Sequence, residues 1–248
     1  MVKLLMLILQ RQTLMQQPEF RNDIFSTPVW IGGSEDADTR ASIEALSYAF
    51  KKRQEGEVTG LVSEEWDKQT KTKDENAKAK NGITSFFSEN LVFNDDWAEA
   101  GQFLLNMAGT MLSDTHDVRG MKLGNMWTTI YPQGGFVPQH IHSCFSVSGV
   151  YYVKAEPDCG EIIFKDPSWV AKTMNIWSGN GPFPHGSTSF VVDPKPGMMI
   201  LFPSWLPHST KSNKSGEDRI IISFNLDFGE VNKNQLLHSG ITETEAEE

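Results

Sequence analysis

NMWTTIYPQGGFVPQHIHSCFSVSGVYYVK, residues 125–154, decides how this chain is read. Three runs rich in β-branched and aromatic residues, NMWTTIYP, FVPQHIH and SVSGVYYVK, are separated by Gly, Pro and Ser, the residues of turns. The texture continues as GEIIFKD (160–166), SFVVDP (189–194), GMMILFP (197–203) and RIIISFNLDF (219–228). Short strands with turn signals between them predict a sandwich or barrel. No helix-length periodic segment interrupts residues 119–230, which argues against a doubly wound parallel sheet.

Upstream the texture changes, and residues 20–118 read as helical support for that β core. FSTPVWIGG (25–33) is a short strand whose Pro28 suggests a sheet edge. Asp38 is a candidate cap for a helix through roughly Gln54, with Ile43, Leu46, Ala49 and Phe50 at helical spacing. Asn94 or Asp95 caps a second helix, with Trp97, Phe103, Leu104, Met107 and Met111 on its apolar side. The polar, lysine-rich stretch 64–81 is an exposed loop or frayed helix, and its interleaved acids weaken any nucleic-acid reading.

The expected organisation is an N-terminal extension (1–19), one domain (20–232, with its jelly-roll core at 119–232) and an acidic tail (233–248). The extension opens MVKLLMLILQ, an apolar run too short to span a bilayer and without an A-x-A-like cleavage site. Hydrophobic residues are 39% and charged residues 22% of the 248, a globular balance. The net charge of -10 argues against broad contact with nucleic acid or an anionic membrane. The two cysteines, Cys144 and Cys159, are expected to be free thiols in a reducing, cytoplasmic setting.

The chemistry centres on histidine. His140 and His142 are one residue apart, so on an extended segment both imidazoles face the same way while Ile141 faces the other. Two imidazoles on one face chelate one cation. A pair of ordinary surface histidines is the competing reading of HxH alone. His208 lies in PGMMILFPSWLPHSTKSN, at the end of a buried strand whose exit is shaped by Pro203 and Pro207. It is the candidate distant third ligand. Neutral imidazole suits Fe, Zn, Cu and Ni. Arg219, eleven residues further on, opens a strand that is apolar on both faces through Ile222. A guanidinium pointed into such a barrel needs an anion, and its fork fits a carboxylate. Pairing with Asp218 or Glu217 at the surface is the alternative. Ser223 lies on the same strand face as Arg219.

The order of HxH, SGVYYV, GEIIF, PGMMILFPSWLPH and the arginine of EDRIIISFNL resembles the Fe(II)/2-oxoglutarate-dependent oxygenases. The closest likeness is to the branch found in marine bacteria and cyanophages, near the prolyl-4-hydroxylase-like group. The resemblance spans roughly Phe25 to Phe228 and is strongest from Asn125 onward. It implies a mainly β fold with N-terminal helices, a cupin-like double-stranded β-helix or jelly roll. It also implies Fe(II), 2-oxoglutarate and O2, hydroxylation of an unactivated C–H bond, and decarboxylation of 2-oxoglutarate to succinate. Carried over, His140 is the first ligand, His208 the distal ligand and Arg219 the anchor of the co-substrate's far carboxylate. Tyr131 is a further hydrogen-bond donor to that carboxylate. The family pattern has Asp or Glu where this chain has His142. Three outcomes stay open: His142 ligates the metal, water or a carboxylate from Glu161 or Asp166 replaces it, or activity is lost.

Two other readings compete. Gly134 followed by the HxH also echoes a three-histidine cupin dioxygenase that needs no 2-oxoglutarate, although the glutamate expected after the HxH is missing. The other is a non-catalytic jelly roll with a vestigial metal site. The long loop 168–189, with Trp169, Trp177 and His185, is a candidate substrate wall or lid. The expected partner is a small-molecule or peptidyl substrate. Oligomeric state, a dimer included, is left open.

Overall fold

The β runs read from the sequence pair antiparallel into two facing sheets. The computed structural model describes residues 26–57, 82–86, 88–168 and 188–228. In chain order these hold β1 (Trp30–Gly33), α1 (Ala37–Glu57) and β2 (Ile83–Thr84), then two 3-10 turns (Leu91–Phe93, Asp95–Trp97) leading into α2 (Ala98–Leu112). There follow β3 (Lys122–Tyr131), β4 (Val147–Lys154), β5 (Ile162–Lys165), β6 (Ser189–Val192), β7 (Met198–Pro203), β8 (His208–Thr210) and β9 (Arg219–Asp227). The larger sheet has the order β1-β7-β4-β9-β3-β2 and the smaller β6-β5-β8. Two antiparallel sheets with non-consecutive neighbours are the arrangement of a jelly roll.

The larger sheet is covered on both faces, which explains why its strands read as almost continuous apolar runs. Along β9, Ile220, Ile222, Phe224 and Leu226 pack in one core with Leu104, Ala108 and Leu112 of α2 and Ile43 of α1. Ile221 faces the other way, into a second core with Tyr152, Phe202 and the smaller sheet's Ile162, Phe164 and Val192. Period-two alternation therefore sends Arg219, Ser223 and Asn225 toward the space between the sheets. A buried hydroxyl pair, Ser47 Oγ to Thr128 Oγ1 at 2.9 Å, ties α1 to β3.

Several local expectations are corrected. Asp36, not Asp38, caps α1: its carboxylate accepts from the Thr39 backbone N–H at 2.9 Å and from the Thr39 hydroxyl at 2.7 Å. A cap must precede the first helical residue and reach back to the third, and only Asp36 stands there. Asn94 caps the 3-10 turn Asp95–Trp97 that leads into the second helix, accepting from Asp96 N at 3.0 Å, while α2 itself starts after Trp97 with no side-chain cap. FVPQHIH is not a regular strand. Pro138 has no N–H to donate, and the segment keeps a single antiparallel bridge at His140. β1 does lie at an edge of its sheet, as Pro28 suggested. The extension, the lysine-rich stretch 64–81, the acidic tail and most of the loop 168–189 fall outside the described residues. Among those described, no helix is long and apolar enough to cross a membrane.

Gly149 shows how tightly the larger sheet is packed. It lies between Phe224 of β9 and Leu201 of β7 in the ladder. A Cβ there would run into the Phe224 ring and come within 2.8 Å of Leu201 Cδ2. Gly149→Val is expected to cost about 1–3 kcal/mol or more through overpacking, measured as a lower midpoint in urea unfolding. Wild-type stability in this variant would mean that the sheet is looser than described.

Candidate metal centre

His140 and His208 are joined before any metal is considered. Each backbone N–H donates to the other's carbonyl, at 2.9 and 3.0 Å. This bridge carries the HxH segment onto β8 of the smaller sheet. A further backbone bond, His142 N to Ser204 O at 2.9 Å, fixes the segment's other end. The three rings then face one another, with centroids 4.3 to 5.2 Å apart. One nitrogen from each lies within 4.8 Å of the other two.

The hydrogen bonds decide which nitrogen is available. Nδ1 of His140 donates to Pro138 O at 2.9 Å and Nδ1 of His208 to Leu206 O at 2.8 Å. Nδ1 of His142 donates to Asn225 Oδ1 at 2.7 Å. A carbonyl oxygen only accepts, so each Nδ1 carries the proton and each Nε2 keeps a bare lone pair. Nε2 of His140 and His142 stand 3.3 Å apart. Two donors at about 2.1 Å from one ion, subtending about 90–110°, stand about 3.0–3.4 Å apart. The spacing thus fits a shared metal. Burial keeps the ligands neutral: it lowers the pKa of His140 and His142 and pushes that of His208 down to about 3.

His142 is held differently from its two neighbours. Its partner Asn225 donates Nδ2 to Asn125 Oδ1 at 2.6 Å. Ser148 Oγ donates to Asn225 Oδ1 at 2.6 Å and stands 2.9 Å from His142 Nδ1. Ser204 Oγ closes the group, 2.8 Å from Ser148 Oγ. Sequence reading missed all four polar residues. Asn225, an amide within the largely apolar strand IIISFNL, was the available signal, because a buried amide needs partners. The carboxylates considered as replacements lie elsewhere. Glu161 pairs with Lys211 at 2.8 Å, and Asp166 accepts from the Ser168 N–H at 2.7 Å.

Arg219 is fully buried. The surface alternative is not what forms: Glu217 pairs with Lys154 and Asp218 with Lys51. Arg219 Nη1 donates to the carbonyls of Cys159 and Gly160, both at 2.8 Å, and Nη2 to Thr210 Oγ1 at 3.0 Å. Nε is buried with no partner among the described residues. The guanidinium lies over the Tyr131 ring, 4.6 Å from its centroid. Gly160, at φ +96°, makes this approach possible: a Cβ there would strike Lys211 O and come within 2.8 Å of Nη1. Desolvation pushes the Tyr131 phenol up to about 12, so it stays a donor. Ser223, Tyr131 and Thr210 line a cavity of about 310 Å³ together with the three histidines. Trp169, Trp177 and His185 lie outside the described residues.

Residues 125–225 match the family described as putative 2OG-Fe(II) oxygenase. That match takes in the β core, less than half of the chain. Solved structures agree on the fold. A prolyl-4-hydroxylase of Pseudomonas putida superposes with a TM-score of 0.51 at 15% identity, over 82% of this chain and 95% of the other. A Trichoplax adhaerens prolyl hydroxylase, in complex with a hypoxia inducible factor oxygen degradation domain peptide, gives 0.50 at 13%, over 81% and 82%. The non-heme alpha ketoglutarate dependent epimerase SnoN, from nogalamycin biosynthesis, gives 0.51 at 11%, over 81% and 78%. No curated protein matches the chain in sequence. The double-stranded β-helix shared with these structures is the jelly roll expected from the strand pattern.

Two outcomes follow from this geometry. Asn225→Leu removes the acceptor that fixes the His142 tautomer and is expected to weaken metal binding about 10- to 100-fold, read by chelator competition with Zn(II) or Co(II). The raised Tyr131 pKa favours the folded state as long as the phenol is protonated. That contribution is fully present below the unfolded value near 10 and is lost as pH rises through about 12. Tyr131→Phe should therefore flatten the fall in stability over this window in urea unfolding at stepped pH.

Proposed function

We propose that His140, His142 and His208 hold Fe(II), and that Arg219, with Tyr131 and Ser223, receives the far carboxylate of 2-oxoglutarate. The observation that carries this reading is the unpartnered Nε of a fully buried arginine beside the metal cavity. An uncompensated buried charge is costly, and a carboxylate is the ligand its planar fork suits best. The contact with Thr210 supports the spacing: Thr210 is two residues from His208 on β8, about 7 Å along a strand. The donor set supports it too. Three neutral imidazoles leave the full double charge of the ion to meet a dianionic co-substrate.

When bound, Fe(II) and 2-oxoglutarate would supply the oxidising chemistry, in which O2 and 2-oxoglutarate are converted to succinate and CO2 while an unactivated C–H bond is hydroxylated. The residues of this chain bind, orient and exclude water. Asn225 and the carbonyls of Pro138 and Leu206 keep each Nε2 turned toward the metal. The carbonyls of Cys159 and Gly160 take one side of the Arg219 guanidinium and leave Nε for the anion. The protonated Tyr131 phenol and the Ser223 hydroxyl add neutral donors. A three-histidine dioxygenase without co-substrate has no use for such an arginine. We take the substrate to be a small molecule or a peptidyl side chain and the setting to be cytoplasmic, supported by two unpaired thiols. The acidic charge argues against a nucleic-acid partner.

Succinate formation at limiting 2-oxoglutarate tests the anchor. Arg219→Lys keeps the charge but loses the fork, and Arg219→Ala loses both. Each is expected to weaken 2-oxoglutarate binding by about 30-fold or more while Zn(II) affinity stays at the wild-type value. Equal succinate yield from Arg219→Ala would mean that another group binds the co-substrate.

A further inference from the structure

The cavity that the three histidines line has two kinds of wall. One end, with Tyr131, Thr210 and Ile221, lies beside Arg219 and belongs to the co-substrate in the reading above. Elsewhere the lining includes a wall of Phe86, Trp127, Ile141 and Phe145. Trp127 connects this wall to the metal site: its ring is 5.0 Å from that of Phe86, edge to face, and 5.8 Å from that of His142. No Asp, Glu, Lys or Arg is among the described residues that line the cavity. Several of its polar groups are already engaged with protein partners. Thr84 Oγ1 and Thr129 Oγ1 lie 2.9 Å apart, and Asn125 Oδ1 accepts from Asn225. Phe86 and Ile141 are still 50% and 56% exposed, although both face the cavity.

We infer that this wall is the substrate subsite and that it takes an uncharged, apolar carbon framework, alkyl or alicyclic. The inference rests on the proposed function, in which the charge of the metal is met by 2-oxoglutarate. An ionised substrate group entering here loses its hydration and finds no counter-charge among the described side chains. An apolar group covers Phe86 and Ile141, removing from water surface that the free protein leaves exposed. A cavity of about 310 Å³ is at the lower end of the range for small-molecule sites. It therefore accepts one reacting fragment beside the co-substrate, with any larger remainder of the substrate outside. Trp127 and Phe86 act as specificity residues rather than catalytic ones, through ring faces turned to the fragment.

The test uses the full chain loaded with Zn(II), which has no redox chemistry, and saturated with 2-oxoglutarate. Three matched probes are titrated by saturation-transfer NMR: cyclohexanecarboxamide, cyclohexanecarboxylate and cyclohexylmethylammonium. The amide is expected to bind about tenfold tighter than either ion. Phe86→Ala and Ile141→Ala, both at exposed side chains, should each weaken it about fivefold or more. Phe86→Lys should shift the preference to the carboxylate. None of these variants should alter 2-oxoglutarate affinity, followed by calorimetry in the same samples. An ion that binds as well as the amide, an amide that does not bind, or variants without effect each overturn the subsite. If 2-oxoglutarate itself fails to bind, the co-substrate reading falls, and the probe preference is read on the zinc-loaded protein alone.

Discussion

One antiparallel bridge, two backbone hydrogen bonds between His140 and His208, organises the site. It joins the loop after β3 to β8, which belongs to the other sheet. Without it the HxH segment, interrupted by Pro138, would have little ladder of its own. With it, imidazoles far apart in sequence are held close together, the His140 and His208 ring centroids 4.3 Å apart. The backbone fixes the ligand positions, and the side-chain hydrogen bonds then choose which nitrogen each ligand offers. This ordering gives a preorganised donor set, in which little remains to be rearranged when a cation enters.

The three histidines are not equivalent. His140 and His208 donate Nδ1 to a carbonyl two residues earlier in their own segment, so their orientation is set locally. His142 depends on Asn225, Asn125, Ser148 and Ser204, which come from β9, β3, β4 and the turn after β7. A carboxylate at that position would present charged oxygens and no tautomer to be chosen. An imidazole has two nitrogens, and a buried polar cluster is what selects between them. Such a cluster is costly unless every member is satisfied, and here each of the four has a partner. The departure from the His-x-acid pattern is thus accompanied by a supporting set of amides and hydroxyls in the sheet behind it.

Electrostatics divides the cavity. Arg219 is a full charge enclosed by carbonyls, a hydroxyl and the face of Tyr131. Carbonyl dipoles soften that charge but leave Nε without an acceptor, so this end favours an anion. The cavity's own described walls are uncharged, largely aromatic and aliphatic around the three histidines, and the one guanidinium stands behind Tyr131 and Thr210.

The strand pattern from Asn125 to Phe228 determined the fold class by itself, because alternating apolar residues and Pro/Gly turns are local chemistry. The same holds for His140, His208 and Arg219 as functional candidates: a histidine rigidified by prolines, or an arginine within an apolar strand, is unusual on its face. Other features depended on distance. Whether His142 joins its neighbours or yields to Glu161 or Asp166 was open in the sequence. What the tertiary structure adds is the strand behind the ring: β9 brings Asn225 there, and the three imidazoles are gathered within reach of one ion. The cap at Asp36 rather than Asp38 turned on where the first helical residue falls, a matter of one turn of backbone. Asn125, Ser148, Ser204 and Asn225 are ordinary polar residues in sequence. Only when β3, β4, β7 and β9 come together do they form a cluster with a purpose, since a hydrogen bond is made at about 3 Å between groups that may be a hundred residues apart along the chain.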